Sequence, residues 1–118
     1  MIKEKMTIEN DSKYVRIGSK HKGDYVVKSK IIYIEAFESY SWIYTGDGFR
    51  FLSCKPIGYY QEIFSREGFI RIHRSYLVNS SQVKRYEPDY RLMHLECSIT
   101  LPVSFRRNRQ LSKKRNIV

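Results

Sequence analysis

Hydrophobic and polar residues alternate along most of this chain, with the two-residue period of half-buried β-strands. Five runs rich in β-branched and aromatic residues come first: 14–19, 24–28, 31–37, 40–45 and 49–53. The first two runs flank a Lys-His-Lys-Gly connection and the last two flank Gly-Asp-Gly, so each pair is predicted to form a hairpin. The middle run is the most apolar, and we predict that it is a central strand buried on both faces.

A helical period replaces this alternation in the segment that follows. Ile57, Tyr60 and Phe64 recur at helical intervals, with Ile63 on the same side. A proline precedes the segment and a glycine follows it, which suits the first turn and the end of a helix. The spacing predicts one helix over 56–66 that packs on the sheet.

The rest of the chain returns to the β pattern and ends in a basic tail. Three strands are predicted after the middle of the chain: 82–86, 92–95 and 98–101. The tail over 103–114 is predicted to form a short helix or turn. The sequence therefore predicts one mainly β domain over 13–118 with one short helix, preceded by a flexible lead-in over 1–12.

Residues 69–79, Phe-Ile-Arg-Ile-His-Arg-Ser-Tyr-Leu-Val-Asn, combine a strand pattern with basic side chains. A strand that starts there buries Ile70 and Ile72 on one face, and the same alternation would turn Arg74 inward. We therefore predict that the strand changes geometry near His73. Arg74 is then presented from a rigid edge, where binding residues tend to lie.

Positive charge is concentrated in the C-terminal part of the chain. The formal net charge is +10, with 11 basic and 9 acidic residues in the first 70 positions but 11 basic and 3 acidic residues in the rest. This asymmetry favours a polyanionic partner, nucleic acid before acidic lipid or protein. Arg74 and the cluster Arg106, Arg107 and Arg109 follow strand-like runs, so we expect them in loops at the ends of elements. The planar fork of arginine can bind a guanine edge or a phosphate.

The sequence does not support catalysis or a bound metal. His73 has no second motif at a fixed spacing that would place an acid opposite a base, so we expect no enzyme. The Gly-Asp-Gly turn is too short for a phosphate loop, and we predict no cofactor and no small-molecule substrate. Cys54, Cys97 and three scattered histidines lack the spacing of a zinc site, so no metal is predicted.

The N-terminal residues and the spacing of the cysteines indicate the cellular compartment. The chain starts with polar residues of mixed charge, and no apolar run is long enough for an export signal or a membrane span. Neither Cys54 nor Cys97 belongs to a Cys-x-x-Cys pair. We therefore predict a cytoplasmic protein, with no membrane partner, whose two thiols are reduced and buried or half-buried.

The order of these motifs resembles that of a known family. The segments IIYIEAFESYSWIYTGDG, FIRIHRSYLVN and LPVSFRR, with a helix after the first, resemble the LytTR DNA-binding domain of bacterial transcription regulators. The resemblance runs from about Tyr14 to Leu111 and implies an elongated, mainly β fold of about ten strands in small stacked sheets. It also implies specific binding of duplex DNA through loops that enter successive major grooves, while backbone contacts bridge the intervening minor groove.

The resemblance assigns DNA contacts to particular positions. Three segments match its base-reading loops: Ser39-Tyr40-Ser41, His73-Arg74 and Ser104 to Arg107. The base-reading candidates are Tyr40, Arg74 and Arg106, although family members often carry His, Lys or Arg where this chain has Tyr40. Asn79 is expected to fix the turn after its motif. Backbone contacts or support are expected from a larger set: Ser39, Ser41, His73, Ser75, Asn79, Lys84, Arg85, Ser104, Arg107, Arg109, Lys113 and Lys114.

The resemblance also bears on partners. Family members tend to occupy paired direct repeats of double-stranded DNA, so a second copy on the same DNA is expected. Such domains usually follow a phosphorylated receiver domain or a membrane segment. This chain contains neither, so it is either a fragment or a stand-alone regulator.

Two other functions stay open. Ten Tyr, six Phe and one Trp suit a single-stranded RNA-binding β module that stacks bases on exposed rings. The predicted strand alternation, however, places most of these rings in the core. The other alternative is a protein-interaction module that uses its edge strands.

Overall fold

The structure of the protein, a computed structural model, describes residues 13–18 and 23–117, with side chains as far as Lys113. The predicted flexible lead-in over 1–12 lies outside these residues. The described chain forms ten strands in three small antiparallel sheets, together with two helices. The principal extents are 51 × 30 × 24 Å, so the mainly β, elongated fold is confirmed.

A five-stranded sheet forms the middle of the molecule. Its strands are β3 (Ile31–Phe37), β4 (Tyr40–Thr45), β5 (Arg50–Ser53), β6 (Phe69–His73) and β7 (Tyr76–Asn79), in the order β5-β4-β3-β7-β6. The predicted central strand, β3, has hydrogen-bonded neighbours on both sides. Its first four residues are all buried, because other elements cover both faces of the sheet.

One face of this sheet carries a hairpin and the first helix. The hairpin pairs β1 (Tyr14–Gly18) with β2 (Gly23–Val27), as the sequence predicted, and α1 spans Ile57–Ile63. Tyr60 and Phe64 are almost fully buried between α1 and the sheet, where they join the isoleucines of β1, β3 and β4. Burial of large side chains in this layer is the main source of its stability.

The other face carries a three-stranded sheet and the second helix. Its strands are β8 (Val83–Glu87), β9 (Leu92–Leu95) and β10 (Ile99–Pro102), and α2 spans Phe105–Ile117. Ile72 and Val78 of the central sheet pack there against Met93, Leu95 and Leu101. Among the described residues, neither helix is long and apolar enough to cross a membrane.

The first helix is shorter than predicted and one of its side chains faces the other way. The chain leaves the helix after Ile63, and Gly68 ends the following turn with a φ of +81°, where a Cβ would meet the Ser80 Oγ at 3.1 Å. Phe64, just beyond the last helical residue, takes the core position. Ile63 is 40% exposed, so its predicted place on the packed side of the helix is wrong.

The predicted burial of the thiols is also wrong. Cys54 and Cys97 are both exposed. Each lies in a connection between elements and not on an inward-facing strand position, and Cys97 has a left-handed φ of 61°. Their Sγ atoms lie near the carbonyl oxygens of Gly18 and Gly46, at 3.2 and 3.6 Å.

Candidate nucleic-acid interface

Two tight turns lie at one edge of the five-stranded sheet. The turn Glu38-Ser39 joins β3 to β4, and Arg74-Ser75 joins β6 to β7. Because β7 runs antiparallel to β3, with Tyr76 opposite Glu35, β6 and β3 end at the same edge. The Ala36 N–H also donates to the Ser75 carbonyl at 2.9 Å. Two strand spacings separate the turns, or about 10 Å.

Next to the first turn, β4 begins with an exposed aromatic ring followed by a buried hydroxyl. Tyr40 is 47% exposed, and Ser39 is exposed beside it. Ser41 is fully buried and donates from its Oγ to the Lys55 carbonyl at 2.8 Å. Of the three predicted contact residues, Ser41 therefore supports the strand end and the other two face outward.

The second turn presents Arg74 as predicted. The register of β6 against β7 shifts between Arg71 and His73, so the expected change of geometry is confirmed at that place. Arg74 is exposed, and its guanidinium has no hydrogen bond or ion pair within the described part of the chain. Ser75 is half-buried, and its N–H donates to Nδ1 of His73 at 3.0 Å.

The environment of His73 favours the neutral form of its imidazole. Burial, and then the charges of Arg74 and Arg71, lower the pKa of His73 from its ordinary value of 6.5. Because Nδ1 accepts the Ser75 N–H, the single ring proton belongs on Nε2. His73 can thus offer one hydrogen-bond donor from Nε2.

Arg71 holds this turn, a role that we did not predict from the sequence. Its Nε donates to the His73 carbonyl at 2.7 Å, and one terminal nitrogen donates to the Arg74 carbonyl at 2.5 Å. The other terminal nitrogen donates to Oε1 of Gln61 on α1 at 2.5 Å. A planar fork suits three acceptors of this kind. The sequence signal was only that Arg71 and His73 share one side of the strand.

The third predicted segment begins a helix and is not a loop. Ser104 donates its N–H to the Ile72 carbonyl at 2.9 Å, so the segment lies beside β6. The Ser104 Oγ accepts the Arg107 N–H at 3.2 Å, which is an N-cap contact. The expectation that Arg106, Arg107 and Arg109 occupy a loop is therefore wrong, because this cap starts α2 at Phe105.

Contacts from the β8–β9 connection fix the start of α2. The Arg91 guanidinium lies 3.7 Å from the centre of the Phe105 ring and donates to the Val103 carbonyl at 3.1 Å. Asn108 accepts a hydrogen bond from the Tyr86 hydroxyl at 2.6 Å and donates to the Pro88 carbonyl at 3.1 Å. Arg106, just inside the helix, is exposed, and its guanidinium makes no hydrogen bond or ion pair with the described residues.

The remaining candidates have different surroundings. Asn79 is 4% exposed; it donates to the Ile31 carbonyl at 2.9 Å and accepts the Ser81 N–H at 3.1 Å, so it holds the turn after β7. Lys84 and Arg85 lie exposed on β8, and Arg85 is 3.6 Å from a carboxylate oxygen of Glu87. Two further candidates are exposed on α2: Arg109 and Lys113. The side chain of Lys114 lies outside the described part of the chain.

Comparisons with known proteins agree with the fold described above. The model of a family described as the LytTr DNA-binding domain matches residues 21–116. Among solved structures, the chain is similar to the LytTr DNA-binding domain of a methyl-accepting/DNA response regulator from Bacillus cereus. That match has a TM-score of 0.70 and 22% identity, and it covers 89% of this chain and 95% of the other. No curated protein sequence matches.

Proposed function

The chain belongs to the LytTr DNA-binding domain family, and from that premise we propose that it reads specific duplex DNA sequences as a bacterial, cytoplasmic transcription regulator. This is a family of DNA-binding domains and not a family of enzymes. In the proposed mode, exposed side chains within residues 39–41, 73–74 and 104–107 approach base edges in the major groove. Basic side chains around them contact phosphates.

The observation that carries the proposal is that three separate segments with exposed side chains lie around one sheet edge. The turns at Ser39 and Arg74 share that edge, about 10 Å apart by strand spacing. The bond between Ser104 and Ile72 places the start of α2 beside the second turn. A major groove is about 12 Å wide, so two such turns are suitably spaced to enter one groove together.

The side chains suit distinct roles in this mode. Arg74 and Arg106 are exposed and their guanidinium groups have no partner in the described part of the chain, so they can pair with the O6 and N7 atoms of guanine. Glu38 beside Tyr40 would repel a phosphate, but its carboxylate can accept from the amino group of cytosine. The first turn is therefore better suited to base edges than to the backbone.

Phosphate contacts are proposed for side chains outside the turns. Arg109 and Lys113 are exposed on α2, and Lys84 and Arg85 are exposed on β8, which adjoins α2 through Tyr86 and Asn108. The long extent of the domain, 51 Å, exceeds one turn of B-DNA, which is roughly 34 Å. One copy can thus reach beyond a single groove, and two copies on paired direct repeats are proposed for a complete site.

Selection from a random duplex library, followed by fluorescence anisotropy, tests this function. The selected duplex is titrated from low to physiological salt against a scrambled duplex and a single strand. We expect the selected duplex to retain binding at physiological salt and to resist both competitors. Equal displacement by every competitor would contradict specific reading, and binding insensitive to salt would favour a protein-interaction module.

One observation favours a second candidate, the single-stranded RNA-binding module. Phe37 and Tyr40 are each 47% exposed, and they lie on the same sheet face as Trp42 and the exposed Leu52. Such a face can stack unpaired bases. The Arg50 guanidinium, however, already covers the Trp42 ring at 4.0 Å. Preference for the single strand in the competition would support this candidate over duplex reading.

A further inference from the structure

A polar cleft lies beside the Arg74 turn, between α1, β6 and α2. Its volume is about 410 Å³. Gln61 of α1, Arg71 of β6 and both Arg107 and Gln110 of α2 line it, and Phe69 contributes to its apolar wall. Among the residues that the structure describes, no carboxylate lines this cleft.

The positive charges of the two guanidinium groups in the cleft repel each other. Burial, and then the charge of Arg107, lower the pKa of Arg71. Neither arginine forms an ion pair with a described residue, and the Arg107 guanidinium makes no hydrogen bond there. Half-buried like charges without a counterion raise the energy of the folded protein, and an anion between them would reverse that effect.

Hydrogen-bond donors remain available for such an anion. Arg71 uses three of its five N–H groups on Gln61, His73 and Arg74, which leaves two. Arg107 uses none of its side-chain donors on the residues that the structure describes, and Gln110 can add its amide. Two forks and an amide match the several acceptor oxygens of a phosphate.

We propose that this cleft is a phosphate-binding site that takes a backbone phosphodiester of the DNA contacted by the Arg74 turn. The proposal rests on the proposed function for its ligand. Its second consequence is mechanical, because Arg71 binds the phosphate and also holds the carbonyls of His73 and Arg74. Occupancy of the cleft and the position of Arg74 are thereby linked through one side chain.

Two variants test the cleft and leave the hydrogen bonds from Arg71 to the turn in place. Arg107→Gln deletes one fork, and Gln110→Glu places a carboxylate in the cleft; each lowers the net charge by one. Arg66→Gln, in the exposed turn after α1, makes the same charge change elsewhere and is the control. We expect both cleft variants to bind the selected duplex roughly tenfold more weakly at low salt. The slope of log affinity against log salt should fall by about 0.9 in each.

A scan of single neutral methylphosphonate substitutions along the duplex identifies the phosphate. One substitution should weaken binding by the wild-type protein but leave binding by Arg107→Gln unchanged. The proposal would be overturned if no substituted phosphate showed this difference. It would also be overturned if the cleft variants bound DNA as Arg66→Gln does. Melting temperatures of all variants establish that each is folded.

Titration of the free protein with inorganic phosphate separates this proposal from the proposed function. We expect saturable shifts of the Arg71 Nε–H resonance in an NMR spectrum, reduced in Arg107→Gln. If the wild-type protein bound no duplex DNA, the proposed function would be wrong. Saturable phosphate binding would then indicate a site for free anions and not for DNA. If the protein bound duplex DNA, but phosphate shifted no Arg71 resonance and no methylphosphonate position depended on Arg107, only the phosphate site in the cleft would be refuted.

Discussion

Replacement of Arg71 by methionine tests whether one side chain orders the turn that carries Arg74. Methionine keeps the aliphatic length but loses three charged hydrogen bonds, to the carbonyls of His73 and Arg74 and to Gln61. A buried hydrogen bond to a charged group contributes about 1.5–3 kcal/mol. Because the turn is half-exposed and water can replace some of these donors, we expect a total loss of about 2 kcal/mol in the free energy of unfolding.

Urea unfolding followed by fluorescence measures this loss. With a slope of about 2 kcal/mol per molar urea, the midpoint should fall by roughly 1 M. On DNA, selection with Arg71→Met should lose preference at the position read by Arg74, because the released turn no longer aims that guanidinium. Such a contact is worth about 1–3 kcal/mol.

Arg71→Lys is the matched control, since it keeps the charge but cannot span three acceptors. We expect it to retain the salt slope of the wild-type protein and to lose the same base preference as Arg71→Met. A lysine variant with wild-type stability and wild-type base preference would refute the proposal that the hydrogen bonds of Arg71 order the turn, because charge alone would then explain its role. A methionine variant with an unchanged urea midpoint would refute it as well.

Four further predictions concern other residues of the interface. Arg106→Ala should cost about 1–3 kcal/mol in binding free energy and relax specificity at one position in a repeated selection. Equal weakening on random and selected duplex would rule out base reading by Arg106. Lys113→Ala should weaken binding to all duplexes alike and lower the salt slope by about 0.9, and an unchanged slope would exclude a phosphate contact. Asn79→Ala should cost about 1–3 kcal/mol in unfolding free energy, because it removes the buried hydrogen bond to the Ile31 carbonyl, while base preferences in the selection stay as in the wild type. His73 has a lowered pKa in the folded protein, so its contribution to stability should be present above about pH 6.5 and be lost as the pH falls through the folded pKa. The urea midpoint of His73→Gln should then fall less between pH 7.5 and pH 5 than that of the wild-type protein, and parallel curves would contradict this assignment.

Much of the sheet was predictable because burial on one or both faces imposes a readable period. The bounds of β3, β4 and β9 agree with the predicted runs over 31–37, 40–45 and 92–95. The bulge before Arg74 was predictable for the same reason, since continued alternation would have buried a guanidinium. These features depend on the side-chain pattern of a single strand.

The second helix was underestimated because its stability comes from tertiary contacts. The tail has few apolar residues, and Leu111 is only half-buried. The helix is held by its Ser104 cap, by the Arg91 guanidinium on the Phe105 ring and by the hydrogen bond from Asn108 to the Pro88 carbonyl. Ser104 directly precedes the helix, but Arg91 and Pro88 are distant from it in sequence, so local pattern could not reveal their contacts.

The exposure of the aromatic rings was also predicted wrongly. Only Tyr33, Tyr60 and Phe64 are buried among the seventeen rings, whereas seven are exposed. Strand alternation indicates which rings share a face, but it does not say how far the neighbouring layer extends over that face. The rings near β5 and the β3–β4 turn lie beyond the three-stranded sheet, and Phe37 and Tyr40 stay in solvent.

The last three residues of β6 connect two of the proposed DNA-contacting segments. Arg71 binds the carbonyls of the Arg74 turn, the Ile72 carbonyl accepts the Ser104 N–H, and His73 accepts the Ser75 N–H. A shift of this strand end would therefore move the second turn and the start of α2 together. Because Ile72 is fully buried against the three-stranded sheet, such a shift would also disturb the core. Two of the proposed base-reading side chains, Arg74 and Arg106, are thus positioned by the packing of β6, which explains why the motif over 69–79 combines apolar and basic residues so closely.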